Sequence, residues 1–223
     1  MSTSSVFGWL IVLAVVAFFV YRKRKKKAVS KSLTSRKAAN SYDDSHLISI
    51  AAFQKVVNDR FVVFDFETTG LSPENDQIVE IGAVRVEHGK ITDTYQKLIN
   101  PGIRMPEAAS KKNHITDDML KGCPSIKTVL PDFLSFVGSD VLAAHNASFD
   151  SAFLMAVCEK YHKKAPEKYF DTMRLSVYWP NLSNRKLETF LKAAGIKNSS
   201  AHRALGDATA TANLIIVSFN KIK

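Results

Sequence analysis

The chain's 223 residues carry 31 Lys and Arg against 21 Asp and Glu, a formal net charge of +10, but the excess is not evenly spread. Residues 1–40 hold nine basic and no acidic side chains, which leaves 22 basic against 21 acidic beyond them, so the overall basicity is no argument for a nucleic-acid-binding domain. The two cysteines, Cys123 and Cys158, have no CxxC spacing and no His arranged around them, which excludes a disulfide framework and a structural zinc site and fits a reducing compartment.

In chain order, residues 6–21 (VFGWLIVLAVVAFFVY) are free of charge, hold Trp9 and Tyr21 near their ends and are followed at once by the basic run 22–27. This pattern predicts a transmembrane helix, a little shorter than the ~20 residues a bilayer requires but extended by snorkelling basic stems. A cleavable signal peptide would carry its positive charge before the apolar run and small residues after it, and a buried core helix would not abut a dense basic cluster. Because the positive residues follow the helix, the positive-inside rule expects the rest of the chain in the cytoplasm, a single-pass membrane localisation in which the basic run also touches anionic headgroups. Residues 28–44, rich in Ser, Lys and Ala, have the composition of a flexible linker. The expected organisation is an anchor with its basic run over 1–27, a linker over 28–44 and a folded domain over 45–223.

Within that domain, residues 47–57 have the mixed spacing of a short helix leading into the first strand. Residues 61–66 (FVVFDF) read as a buried strand ended by the turn chemistry of Thr68, Thr69 and Gly70. Residues 77–87 and 91–100 read as two further strands joined at His88-Gly89-Lys90, and Pro101-Gly102 stops the second. The period then lengthens: a helix over 125–137 with Pro131 awkwardly inside it, a short strand over 141–144, a helix over 149–162, a last strand at Tyr169 and Phe170, a helix over 186–194 closed by Gly195, and a long one over 204–223.

Chemistry enters with Asp65 and Glu67. Strand side chains alternate, so the two carboxylates share one face while Phe64 and Phe66 take the other. Two such groups at the end of a buried strand repel each other and resist desolvation unless a hard cation lies between them; the plainer alternative is a pair of solvated strand-end acids. Asp150, in HNASFD (145–150), falls in or near the first turn of a helix, where capping and the helix dipole also explain an acid. His202 and Asp207, in HRALGDA (202–208), are five residues apart and would point away from each other on one helix, so His202 is expected on the loop before it, swinging over a site that Asp207 reaches from within.

The segments DFETTG, HNASFD and HRALGDA, in this order, resemble the three motifs of the DEDDh (DnaQ-like) 3′-to-5′ exonucleases, a branch of the ribonuclease-H-like fold. The resemblance spans roughly residues 60–217 and extends to Ile78–Gly82, Asp171-Thr172 and the segment 186–195; it departs at Asn113-His114-Ile115-Thr116, where many members have His-Gly-Ile-Thr. It implies an α/β fold, with a mixed central sheet flanked by helices, following the N-terminal helix. It implies further that Asp65, Glu67, Asp150 and Asp207 hold two divalent ions, Mg²⁺ or Mn²⁺, with His202 as the general base. A Tyr four residues before the last Asp would mark another branch, and Arg203 stands there instead. Thr68, Thr69 and Leu71 are expected beside the terminal nucleotide, with Leu71 as a wedge against its base, and His145 and Asn146 are similarly placed.

The expected function is therefore a membrane-anchored, cytoplasm-facing 3′-to-5′ exonuclease that acts on DNA or RNA 3′ ends and releases nucleoside 5′-monophosphates. Two alternatives stay open: a catalytically inactive membrane-tethered nucleic-acid-binding or adaptor protein, and a proofreading subunit of a separate polymerase. A decayed site usually loses a carboxylate or the His, and all five are present.

Overall fold

The structure, a computed structural model, describes residues 44–221. Its organising element is strand β1 (Arg60–Thr68), whose Phe and Val run is buried on both faces. Such continuous apolarity belongs to a strand covered by helices on either side. Strand β2 (Ile78–Glu87) pairs antiparallel with β1, and β3 (Lys90–Leu98) pairs antiparallel with β2 through the two-residue turn His88-Gly89, both of whose residues have positive φ. That is the backbone a tight hairpin requires.

The chain then makes two short helices, α1 (Ile50–Phe53) before β1 and α2 (Glu107–Asn113) after β3, followed by α3 (Asp117–Leu120) and the longer α4 (Ile126–Val137). Strand β4 (Leu142–Ala144) returns to lie parallel to β1. Helix α5 (Ala147–Lys160) leads to β5 (Tyr169–Asp171), parallel to β4, and a 3₁₀ segment (Thr172–Tyr178) precedes α6 (Leu187–Ala194) and α7 (Ala204–Asn220). The sheet order β3-β2-β1-β4-β5, with antiparallel and parallel pairs, is the mixed sheet expected of a ribonuclease-H-like α/β fold.

The two faces of β1 feed two cores. Val62, Phe64 and Phe66 pack with Phe133 of α4 and with Phe153 and Leu154 of α5. Phe61 and Val63 pack with Ala208, Leu214 and Ile215 of α7. Each such large side chain, fully buried, contributes roughly 1.5–3 kcal/mol. Pro131 is accommodated inside α4 on the exposed side of the helix, while Val129, Leu130 and Phe133 keep the buried stripe.

Three expectations are corrected. The helix expected over residues 47–57 contracts to Ile50–Phe53, because the preceding backbone is drawn to the sheet: Leu47 bridges Tyr169, and the Ile48 N–H donates to the Tyr169 carbonyl at 2.8 Å. Residues 103–124, given no element from the sequence, supply α2 and α3. The third correction concerns the membrane. Among the described residues no helix is long and apolar enough to cross one. The transmembrane helix expected over residues 6–21 lies outside the described residues, and the single-pass, cytoplasm-facing localisation built on it is withdrawn. The longest helix described, α7, has 17 residues, about 26 Å against a hydrocarbon layer of about 30 Å, and its apolar face is already spent on the sheet.

Candidate active site

The face of β1 that carries Phe61 and Val63 into the α7 core ends in Asp65 and Glu67, and a β-bulge between Glu67 and Thr68 turns the chain away just beyond them. Asp65 is paired in register with Gly82 of β2, and this glycine seats the start of α7: a Cβ there would lie 2.1 Å from Ala204 C and Leu205 N. The helix backbone thus rests directly on the strand, and its first turn delivers Asp207. Carboxylate oxygens of Asp65, Glu67 and Asp207 lie within 4.8 Å of one another. Asp150, buried in the first turn of α5, is not one of that trio. Its Oδ1 accepts the Phe66 N–H at 3.0 Å, which satisfies β1 where β4 has already ended.

The electrostatics of these acids share a direction. Burial, then the charges of Asp150, Glu67 and Asp207, drive Asp65 well above the ordinary carboxylate range, with Lys112 in opposition. Glu67 is pushed up to about 7 by burial and by Asp207, against Lys112 and a hydrogen bond from Asn113. Burial also raises Asp150 and Asp207, opposed by the Phe66 N–H in the first case and by Asn198 and the His202 N–H in the second. Convergent oxygen donors that cannot comfortably hold their charges together make a site for hard divalent cations, and no thiol or imidazole is among them.

Glu80 is the contrasting acid. Fully buried, it accepts Arg203 Nε at 3.0 Å, an Arg203 terminal nitrogen at 2.7 Å, the Ala204 N–H at 3.1 Å and Gln96 Nε2 at 2.8 Å. Burial alone would raise its pKa, but these four donors hold it below the ordinary value. It caps α7 from the neighbouring strand and so fixes the turn that carries Asp207.

A family model for exonucleases, RNase_T, matches residues 62–215, more than half of the chain. The DNA polymerase III PolC-type chain of Clostridium perfringens is 40% identical over 182 residues, covering 81% of this chain and 13% of that one, and the Bacillus subtilis counterpart is 38% identical over 182 residues with 80% and 13% covered. This chain belongs to the DEDDh, DnaQ-like family of metal-dependent 3′-to-5′ exonucleases. It spans about an eighth of the length of these PolC-type relatives. Among solved structures, exonuclease X in complex with 5′ overhanging duplex DNA is similar at a TM-score of 0.58 and 29% identity, covering 72% of this chain and 92% of that one. A zinc-bound complex of E. coli exonuclease I with single-stranded DNA shares the fold at a TM-score of 0.65 and 18% identity, over 74% of this chain and 41% of that one.

The other expected site residues of this family member fall into two groups. His202 lies on the loop ahead of α7 rather than on the helix, exposed, in the left-handed region at φ 61°, with its N–H donated to Asp207 Oδ2 at 3.1 Å. Leu71 projects 75% exposed from the loop after β1, and Asn146 is exposed at the start of α5. Thr68, Thr69 and His145 instead make bonds inside the protein. Thr68 Oγ1 donates to the Gly70 carbonyl at 2.6 Å, while Thr69 Oγ1 donates to Asp76 at 3.2 Å and accepts the Gln77 N–H at 2.9 Å. The His145 ring spans Thr172 Oγ1 at 2.9 Å and the Arg185 carbonyl at 2.8 Å, and burial lowers its pKa, which suits a neutral ring donating to that carbonyl.

Sequence reasoning missed Asn198, whose amide donates to Asp207 Oδ1 at 2.5 Å, as well as Lys112, Asn113 and the role of Glu80. Glu80 left a signal as an acid amid the apolar run 78–84, and Asn113 as part of the departure from the family pattern. At the departure from the family pattern, His114 takes the left-handed helix cap at φ 59° that a glycine fits more easily, and Asn113 accepts the Ile115 N–H at 3.1 Å.

Proposed function

We propose that this chain hydrolyses the terminal phosphodiester at the 3′ ends of nucleic acid and releases nucleoside 5′-monophosphates. The observation that carries this reading is the convergence of Asp65, Glu67 and Asp207 within 4.8 Å, with Asp150 adjoining and, among the described residues, no basic side chain in an ion pair with them as Arg203 is with Glu80. These four carboxylates would hold two divalent ions, Mg²⁺ or Mn²⁺. When bound, such cations supply the charge that stabilises the attacking and leaving oxygens of an in-line displacement.

The remaining roles belong to side chains around that centre. His202 takes the proton of the attacking water, since an exposed imidazole on the loop beside the acids is the side chain placed to act as a general base there. Its backbone bond to Asp207 keeps the base and the acids in one frame. Leu71 lies against the terminal base, on a loop that Thr69 and Asp76 staple shut. DNA as a substrate is supported by the exonuclease X likeness, a complex with duplex DNA.

The test is digestion of 5′-labelled single-stranded DNA, duplex DNA and RNA by the full chain with Mg²⁺, with chromatography of the products. Stepwise shortening from the 3′ end with mononucleotide release is expected, slowed by about 10²–10⁴ in His202→Ala. Internal cleavage, or equal rates in that variant, would refute the assignment. The likeness to PolC-type polymerase chains favours a second reading beside the first, that the domain proofreads for a separate polymerase. It requires faster removal of mismatched than of paired 3′ termini.

A further inference from the structure

Of the four site acids Asp207 lines a cleft of about 1030 Å³, together with His202, and the cleft continues past them along α6. Its far wall is built by α6 and the segment in front of it. Met173, Leu187, Leu191 and Ile196 give this wall an apolar floor, the exposed cations Arg185, Lys186 and Lys192 stand along it, and Lys112 also lines the cleft. The domain is close to neutral as a whole, so this concentration of positive charge beside a negatively charged site is local.

This row of cations is also held in place. The His145 ring fastens the Arg185 carbonyl at 2.8 Å, while Asn184 Oδ1 accepts both the Lys186 N–H at 2.9 Å and the Thr189 hydroxyl at 2.8 Å. The carboxylate among them, Glu188, lies 3.8 Å from Lys186 in an exposed pair too loose to cancel that lysine. A cleft with aliphatic side chains at its base and cations at its edge matches the amphipathic profile of a nucleic-acid strand, whose bases present apolar faces and whose phosphates present one charge each. Stacking of base faces on aliphatic side chains and pairing of phosphates with cations carry little preference among the four bases.

We propose that this wall binds the nucleotides preceding the 3′ terminus of a single strand, independently of sequence, with base faces on the apolar floor and successive phosphates on Arg185, Lys186 and Lys192. The proposal rests on the exonuclease reading for the direction of the strand. It also serves an electrostatic purpose: cations beside the acids draw the phosphates of an incoming strand towards the cleft. His145 then acts as a positioning residue for the strand through Arg185.

The experiment measures binding rather than cleavage, so its failure is separate from failure of the digestion. Anisotropy of a fluorescent oligo-dT is recorded across NaCl concentrations, without divalent ions, for the full chain, for Arg185→Gln/Lys186→Gln/Lys192→Gln, and for the charge-matched Lys121→Gln/Lys127→Gln/Lys163→Gln. The basic residues of the first 40 contribute equally to all three proteins and cancel. The wall variant should bind about tenfold or more weakly at low salt, with a log–log salt slope shallower by about 2, close to 0.7 per lost phosphate contact. The matched variant should follow the wild type. The proposal is overturned if the wall variant is indistinguishable from wild type, or if the matched variant loses as much. Thermal melting of all three ensures that only folded proteins are compared.

Discussion

Glu67 and Glu80 are the same residue type, lie in register on neighbouring strands and are both buried, yet they have opposite fates. Glu80 is met by an arginine, an amide and a helix N–H, and its charge is stabilised. Glu67 faces Asp207 and is pushed up to about 7, so without divalent ions it holds a proton that the unfolded chain, titrating near 4.5, would already have lost. The folded state therefore binds more protons than the unfolded one across pH 4.5–7, and stability must fall as pH rises through that window. The loss from this group is about 3 kcal/mol. Asp65, Asp150 and Asp207 are shifted in the same direction and add to it. Thermal melts in EDTA from pH 4 to 8 should show this decline, and Glu67→Gln should remove part of it. A variant as pH-sensitive as the wild type would mean that Glu67 ionises freely in the fold.

At the scale of elements, the site depends on how closely α7 approaches β2. Gly82 lets the helix backbone touch the strand, and Gly206, whose Cβ would lie 2.3 Å from the Ser200 carbonyl oxygen, lets the His202 loop fold back onto the first helical turn. Gly82→Ala should lift the start of α7, loosening the Glu80 clamp and withdrawing Asp207 from Asp65. Overpacking of this kind costs about 1–3 kcal/mol. The expected result is a folded protein with a lower melting temperature, weakened Mn²⁺ binding by calorimetry and a large loss of exonuclease rate. Unaltered Mn²⁺ affinity would show that the close seat does not set the geometry of the acids.

This dependence also explains what was legible in the sequence. β1 and its turn could be read because continuous Phe and Val followed by Thr-Thr-Gly is a local signal, and the alternation that puts Asp65 with Glu67 follows from strand geometry alone. The loop position of His202 followed from helix geometry in the same way. Asn198 and Glu80 could not be read, because their meaning lies in hydrogen bonds across 9 and 123 positions. α2, seven residues with no side-chain cap, has too little periodicity to announce itself, and Lys112 was hidden with it. Leu47 reads as helical until the edge of β5 is available to bridge.

For the molecule as a whole, a near-neutral domain conceals a set of acids gathered at the junction of β1, α5 and α7, where the packing that stabilises the fold also presses like charges together. Folding and cation binding must then be linked, because the unfolded chain disperses these carboxylates and has no site to offer. A ligand that binds only the folded state stabilises it by about 2.7 kcal/mol at a hundred times its dissociation constant, and a domain of this size gains about 2–4 °C per kcal/mol. The wild-type melting temperature should therefore rise by about 5–10 °C per ion as Mn²⁺ is raised to that excess over EDTA conditions. Asp65→Asn supplies the reciprocal case. It removes a carboxyl whose pKa burial and three neighbouring acids push up, so the folded state no longer has to take up that proton; it should melt above the wild type in EDTA at neutral pH, yet gain little from Mn²⁺. Scanning calorimetry of both proteins with and without Mn²⁺ checks the linkage, and an equal metal-induced rise in the two would remove Asp65 from the ligand set.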